Sequence, residues 1–169
     1  YTPADRYGIA DTLGTAMPQD VTELVNLVHG ITGKPVEFHG HNDTGCAVIN
    51  AVTAWQARAE FINTSVLGLG ERNGITSLSG LIARLYCLDR ELVQNLFSLH
   101  ELPPLVELVS RYSGVPVPVN HPITGRNSFV HKAGIHTKAV LQMPGAYEAL
   151  NPEDFGLVRT IMTGHKLTG

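Results

Sequence analysis

PVEFHGHNDTG, residues 35–45, is a short apolar segment that runs into a Gly- and Asp-bearing turn. The same pattern stands on either side of it, in YGIADTLG (7–14) and FINTSVLGLGERNG (61–74), so three strands are predicted, each ending in a polar turn. Between them the apolar residues switch to a helical period. Val21, Leu24, Val25, Val28 and Ile31 keep the i, i+3, i+4, i+7 spacing, and Ala47, Val48, Ala51, Val52 and Trp55 repeat it. The turns ADTLGTA and NDTGCA resemble each other, as expected of successive units of one parallel βα architecture. Leu78, Leu81, Ile82 and Leu85 mark a third helix, and Leu102, Leu105, Val109 and Tyr112 a fourth. The character then changes. GVPVPVNHP (114–122) is extended by its prolines and reads as a linker into a last segment, with a helix near 131–142 and a turn at NPEDFG. The predicted division is therefore 1–113 and 114–169.

Composition narrows the function. Of 169 residues 43% are apolar and 16% charged, the balance of a globular chain with one or two cores. Twelve basic and fifteen acidic side chains, with no run of like charge, give no footprint for nucleic acid or an anionic membrane, so a small-molecule partner is expected. No apolar run is long enough to span a bilayer. Cys46 and Cys87 are too far apart in sequence to suggest a disulfide framework or a metal site, which points to a reducing, cytosol-like compartment.

Alternate residues of a strand share a face, so Glu37, His39 and His41 are predicted to point the same way at the carboxyl end of theirs, where parallel α/β folds keep their chemistry. Two imidazoles there suit a divalent metal, with a third ligand needed from another strand. The alternative is a pair of histidines hydrogen-bonded within a polar strand end. Glu37, Asn42 and Asp43 favour the metal, because neighbouring carboxylates and amides orient imidazole ligands.

The motifs ADTLGTAMP, EFHGHNDTGCAVINA, NTSVLGLGERNGIT, ITGRNSFVHKAGIHTKA and YEALNPEDFG stand in the order of similar motifs in the homocitrate synthase and isopropylmalate synthase family, which the chain resembles nearly end to end. HGHNDTGCA, GERNGIT and HKAGIH look closer to the homocitrate side of it. The resemblance implies α/β architecture: the last three βα units of a TIM (β/α)8 barrel, followed by a small, mostly helical subdomain. It implies a Claisen-type condensation of acetyl-CoA with 2-oxoglutarate to homocitrate, helped by a divalent metal (Mg, Mn or Zn), in the lysine pathway. A condensation of the isopropylmalate or citramalate type is the alternative, and a metal-dependent hydrolase a more distant one. A homodimer that shares its active sites is implied too, in the cytoplasm, or in mitochondria or the nucleus of a eukaryote.

Matched by position, His39 and His41 resemble the metal ligands, and Glu37 and Thr12 the substrate-pocket carboxylate and hydroxyl, Glu37 also standing with the catalytic groups. Glu71 and Arg72 are expected to form a structural ion pair at the rim; His136 matches the catalytic histidine, and Tyr147 the tyrosine that assists it. His131 lies five residues before His136, about 140° away on a helix, and is expected only to pack or cap.

The departures matter as well. A complete barrel needs roughly 250 residues, and the family's first-strand Arg-Asp motif, with its third metal ligand, has no counterpart. The chain thus reads as a piece of a longer enzyme, inactive alone and able only to associate with a partner chain. Met17 replaces a helix-capping threonine, and WQARAEFIN lacks the family's usual glycine and aspartate before the last strand, a change expected to touch no ligand.

Overall fold

In the computed structural model, which describes residues 4–132 and 139–162, the chain packs as two compact units, Tyr1–Arg84 and Leu85–Gly169. The first alternates strand and helix: β1 (Tyr7–Asp11), α1 (Pro18–Thr32), β2 (Val36–Gly40), α2 (Ala47–Gln56), β3 (Phe61–Ile62) and the start of α3 (Leu78–Leu88). The strands form one sheet in the order β1-β2-β3, all parallel, with Ile9 beside Phe38 and Phe38 beside Ile62. The strands predicted from the turn-terminated segments are these three, and the helical periods became α1, α2 and α3.

Burial follows the two periods. Val36, Phe38 and Gly40 on β2 are buried, whereas Glu37 and His39 between them are half-buried. Val21 and Val25 of α1 and Ala47, Ala51, Val52 and Ala54 of α2 are buried in the same unit. Burying a side chain the size of Val or Phe contributes about 1.5–3 kcal/mol. At the start of α1 Met17 offers no side-chain acceptor, but Asp20 Oδ2 accepts the Met17 amide at 2.9 Å. Asp20 thereby makes the half of a capping box that reaches back to the amide of the cap residue, not the half a threonine at position 17 would make.

The second unit holds the end of α3, α4 (Arg90–Leu96), α5 (Leu102–Ser113), and a parallel pair of two-residue strands, β4 (Val130–His131) and β5 (Thr160–Ile161). The packing division thus falls inside α3, earlier than the change of sequence character at Gly114. Its reason is a polar hub: Asp154, in the 3₁₀ turn Pro152–Phe155, accepts hydrogen bonds from Tyr86, Arg90 and Gln94, so the end of α3 and α4 belong with the carboxyl-terminal segment. Burial and the Asp154 carboxylate push the Tyr86 phenol up to about 12. α4 was not anticipated; Asp89 caps it by accepting the Leu92 amide at 2.9 Å. The helix expected near 131–142 differs in its first residue, because His131 lies in β4, while residues 139–142 are helical.

The chain leaving β3 folds back over the end of β2. Ser65 and Ile75 amides bond to the Thr76 and Gly68 carbonyls, and the Thr76 amide to Gly40. At the crossing Gly74 has φ +82°, and a Cβ there would lie 1.9 Å from the Gly68 carbonyl oxygen. Gly33, which ends α1 with φ +59°, has open space around it. Gly33→Ala is therefore expected to cost about 1 kcal/mol for its backbone conformation, and Gly74→Ala more than about 3 kcal/mol because backbone must also move. Urea unfolding of the two variants decides it: equal losses would contradict a tight crossing.

Candidate functional site

The site grows from the end of β2. Glu37 and His39 occupy one face of the strand, and His41 follows it in an isolated bridge to Ile75. The two imidazole rings meet edge to face, centroids 5.0 Å apart, with His39 Nε2 3.3 Å from His41 Nε2. On its other side His39 Nδ1 lies 3.2 Å from Asn63 Oδ1, and Asn63 Nδ2 donates to Glu37 Oε1 at 2.8 Å. The second Glu37 oxygen takes Arg6 Nε at 2.7 Å, and the Arg6 guanidinium also lies over the Phe61 ring. Both oxygens of Glu37 are thus engaged, one by Asn63 and one by Arg6.

Two nitrogens 3.3 Å apart, each about 2.1 Å from a shared ion, would subtend about 100° there. That angle lies between the tetrahedral and octahedral values, so the pair fits two neighbouring corners of a coordination shell. Among the described residues no cluster of three His, Cys, Asp or Glu side chains completes it. His41 Nδ1 is buried with no hydrogen-bond partner.

Around the histidines the three strand-end turns are sewn together. Arg72, at φ +55°, grips both oxygens of Asp43 at 2.8 and 2.9 Å and donates to the Thr12 carbonyl at 2.7 Å. The rim pair was expected between Arg72 and Glu71; the carboxylate that Arg72 grips is Asp43, and Glu71 is exposed. The Asp43 carboxyl is held below its ordinary value, chiefly by the Arg72 hydrogen bonds. Thr12 stands in the exposed turn after β1. Thr44 Oγ1 donates to the Gly14 carbonyl at 2.6 Å, a further stitch between the first two turns.

The structure therefore brings Glu37, His39 and His41 into one cluster with Arg72 and Thr12 on the rim of the same unit. Asn63 is the member that sequence reasoning missed: it closes WQARAEFIN, whose departure was expected to touch no ligand, yet it lies 3.2 Å from His39. The β3 register, Glu37 beside Phe61 and Phe38 beside Ile62, places it opposite His39, and its position one residue past the strand was the available signal. Tyr147 belongs to the second unit, where it is 46% exposed. His136 lies outside the described residues. His131 does pack: its Nε2 is 2.7 Å from Glu148 Oε1, and Arg159 holds the same carboxylate at 2.5–2.9 Å.

Residues 3–109 match the HMGL-like family. The chain belongs to the HMGL-like family. Residues 123–169 match a second description, "Homocitrate synthase post-HMGL domain-like". The mitochondrial homocitrate synthase of Yarrowia lipolytica is 53% identical over 98% of this chain, and the cytosolic homocitrate synthase isozyme of Saccharomyces cerevisiae 47% identical over 98%. The chain spans 37% and 39% of the lengths of those two relatives. Among solved structures, the HMG-CoA lyase of Bacillus subtilis superimposes with a TM-score of 0.58 at 22% identity, covering 68% of this chain and 40% of that one. The fold of this HMGL-like chain is therefore α/β, and β1-β2-β3 are an arc of a TIM-type barrel. No described helix is long and apolar enough to cross a membrane.

The Glu148 carboxyl is pushed up by burial but more than compensated by Arg159 and His131, and it ends below its ordinary 4.5. A carboxyl lowered on folding adds stability that is present above its unfolded value and lost as pH falls through the folded one. Carboxyl-carbon NMR is expected to show Glu148 titrating below 4.5 and Arg159→Gln raising it; an unchanged titration in the variant would contradict the clamp.

Proposed function

We propose that this chain is part of a homocitrate synthase, an acyltransferase that condenses acetyl-CoA with 2-oxoglutarate, and that His39 and His41 supply two ligands to its divalent metal, Mg, Mn or Zn. The observation that carries the metal reading is the convergence of two imidazole nitrogens to 3.3 Å at the carboxyl end of a parallel strand. The relatives' name, homocitrate synthase, supports the product, and their printed locations, mitochondrial and cytosolic, the compartment; the substrates and the lysine pathway rest on the family resemblance.

In the reaction a base takes a proton from the thioester methyl, the carbon bonds to the keto carbon of the 2-oxo acid, and the keto oxygen is protonated. Hydrolysis of the thioester then releases CoA. A divalent ion held by His39 and His41 would supply Lewis acidity toward the keto group. His136 and Tyr147 are proposed as the acid–base pair, Thr12 as a substrate contact, and Arg72 as the group that keeps the rim in register. Glu37, the other expected substrate-pocket and catalytic carboxylate, would act there only on leaving Arg6 or Asn63.

In the intact enzyme, His39→Ala and His41→Ala are expected to lose metal and turnover together, whereas Glu37→Gln keeps its metal and loses rate. Elemental analysis alongside homocitrate formation checks this; a metal-free Glu37 variant beside a loaded His39 variant would reverse the assignment.

The active sites are further proposed to be shared across a homodimer, His136 and Tyr147 serving the partner's histidine pair. The support is the proline-bearing stretch 114–122 and the family resemblance. When inactive full-length His39→Ala and His136→Ala proteins are unfolded and reassembled together, random pairing makes half the dimers mixed, so about one quarter of the sites are expected to recover. No recovery in a mixture shown by mass spectrometry to contain mixed dimers would contradict sharing.

A further inference from the structure

We infer that Asn63 is a positioning residue that sets the tautomer of His39, through a relay running Arg6, Glu37, Asn63, His39 across all three strands of the sheet. The inference rests on the reading of His39 and His41 as metal ligands.

An amide side chain has a donor end and an acceptor end, and its direction is settled by its least adaptable neighbour. Here that neighbour is Glu37. A carboxylate oxygen accepts, and Arg6 Nε, 2.7 Å from the other oxygen of Glu37, holds the group aimed at Asn63. The Asn63 nitrogen must therefore face Glu37, as it does at 2.8 Å, which leaves Oδ1 facing His39 Nδ1 at 3.2 Å. An amide oxygen accepts, so Nδ1 of a neutral His39 carries the proton. Its Nε2 is then bare, with the lone pair directed toward His41 Nε2 at 3.3 Å. The backbone fixes the relay in place: the Asn63 amide donates to the Phe38 carbonyl at 2.9 Å, the ladder position directly before His39.

A metal takes an imidazole by its unprotonated nitrogen, and hydrogen bonds from the other nitrogen decide which one that is. Without Asn63, His39 reverts toward the Nε2–H form that imidazole side chains favour in water, and a proton stands where the ion would bind. His41 has no such support, since its Nδ1 is buried without a partner. Asn63 therefore orders the one imidazole of the two whose Nδ1 has a hydrogen-bond partner among the described residues. An aspartate at this position would accept the same His39 N–H but offer nothing to Glu37, setting two carboxylates side by side; asparagine serves both neighbours.

The test begins on the metal-free intact protein at about pH 8.5, two units above the ordinary imidazole value. Long-range nitrogen–proton correlation of ¹⁵N-histidine protein is expected to show His39 as the Nδ1–H tautomer, and His39 as Nε2–H in the unaltered protein overturns the inference with no variant needed. Asn63→Ala is expected to shift His39 toward Nε2–H and to weaken Zn²⁺ binding, measured against a competing chelator, by about 10–100-fold. Asn63→Asp, which keeps the acceptor, is expected to hold the Nδ1–H form and bind Zn²⁺ more tightly than Asn63→Ala. An unchanged tautomer or an unchanged Zn²⁺ affinity in Asn63→Ala overturns the inference. His39→Ala separates the two layers: if it leaves Zn²⁺ affinity intact, the metal reading has failed, whatever the tautomer shows.

Discussion

β2 has two faces and both are committed. Val36, Phe38 and Gly40 are buried on one side, and Glu37 and His39, with His41 just beyond, stand on the other. The residue between the histidines is governed by the buried side. A Cβ at Gly40 would come within 2.8 Å of the Phe38 ring, so the ring lies over the position that the spacer's side chain would need. The H-G-H spacing is thus a consequence of how Phe38, only 1% exposed, fills the core. Two imidazoles two residues apart at a strand end converge because the pleat gives them no other direction.

Everything around the pair keeps that direction fixed. Asp43, Arg72 and Thr12 come from the turns after β2, β3 and β1, and one guanidinium joins them. The pair is open to solvent, so its contribution is geometric more than energetic. Gly14 fits beneath it, where a Cβ would meet Asp43 Oδ2 at 2.6 Å. The turns that carry the rim are thereby held together by backbone contacts too close for other residues.

β1, β2, β3, α1, α2, α3 and α5 were legible in the sequence from their apolar patterns and the polar turns that end the strands, and the H-x-H face was legible from the alternation along β2. What stayed hidden depends on partners distant in sequence. Asn63 meets Glu37 and His39 from 26 and 24 residues away, and only its place one residue past β3 hinted at either contact. Arg72 has Glu71 beside it, yet at φ +55° it reaches Asp43, 29 residues back. α4 has only seven residues, too few for a periodic signal, though Asp89 three residues before Leu92 was a readable cap. His131 looked helical by its neighbours; a two-residue pairing with Thr160–Ile161 put it in a strand.

The central claim is that His39 and His41 bind one ion side by side through Nε2. X-ray absorption at the zinc edge of the Zn²⁺-loaded intact enzyme tests it most directly. Two imidazoles at about 2.0–2.1 Å, with oxygen ligands making up the remainder, are the expected result, and a shell with one imidazole or none would contradict the account.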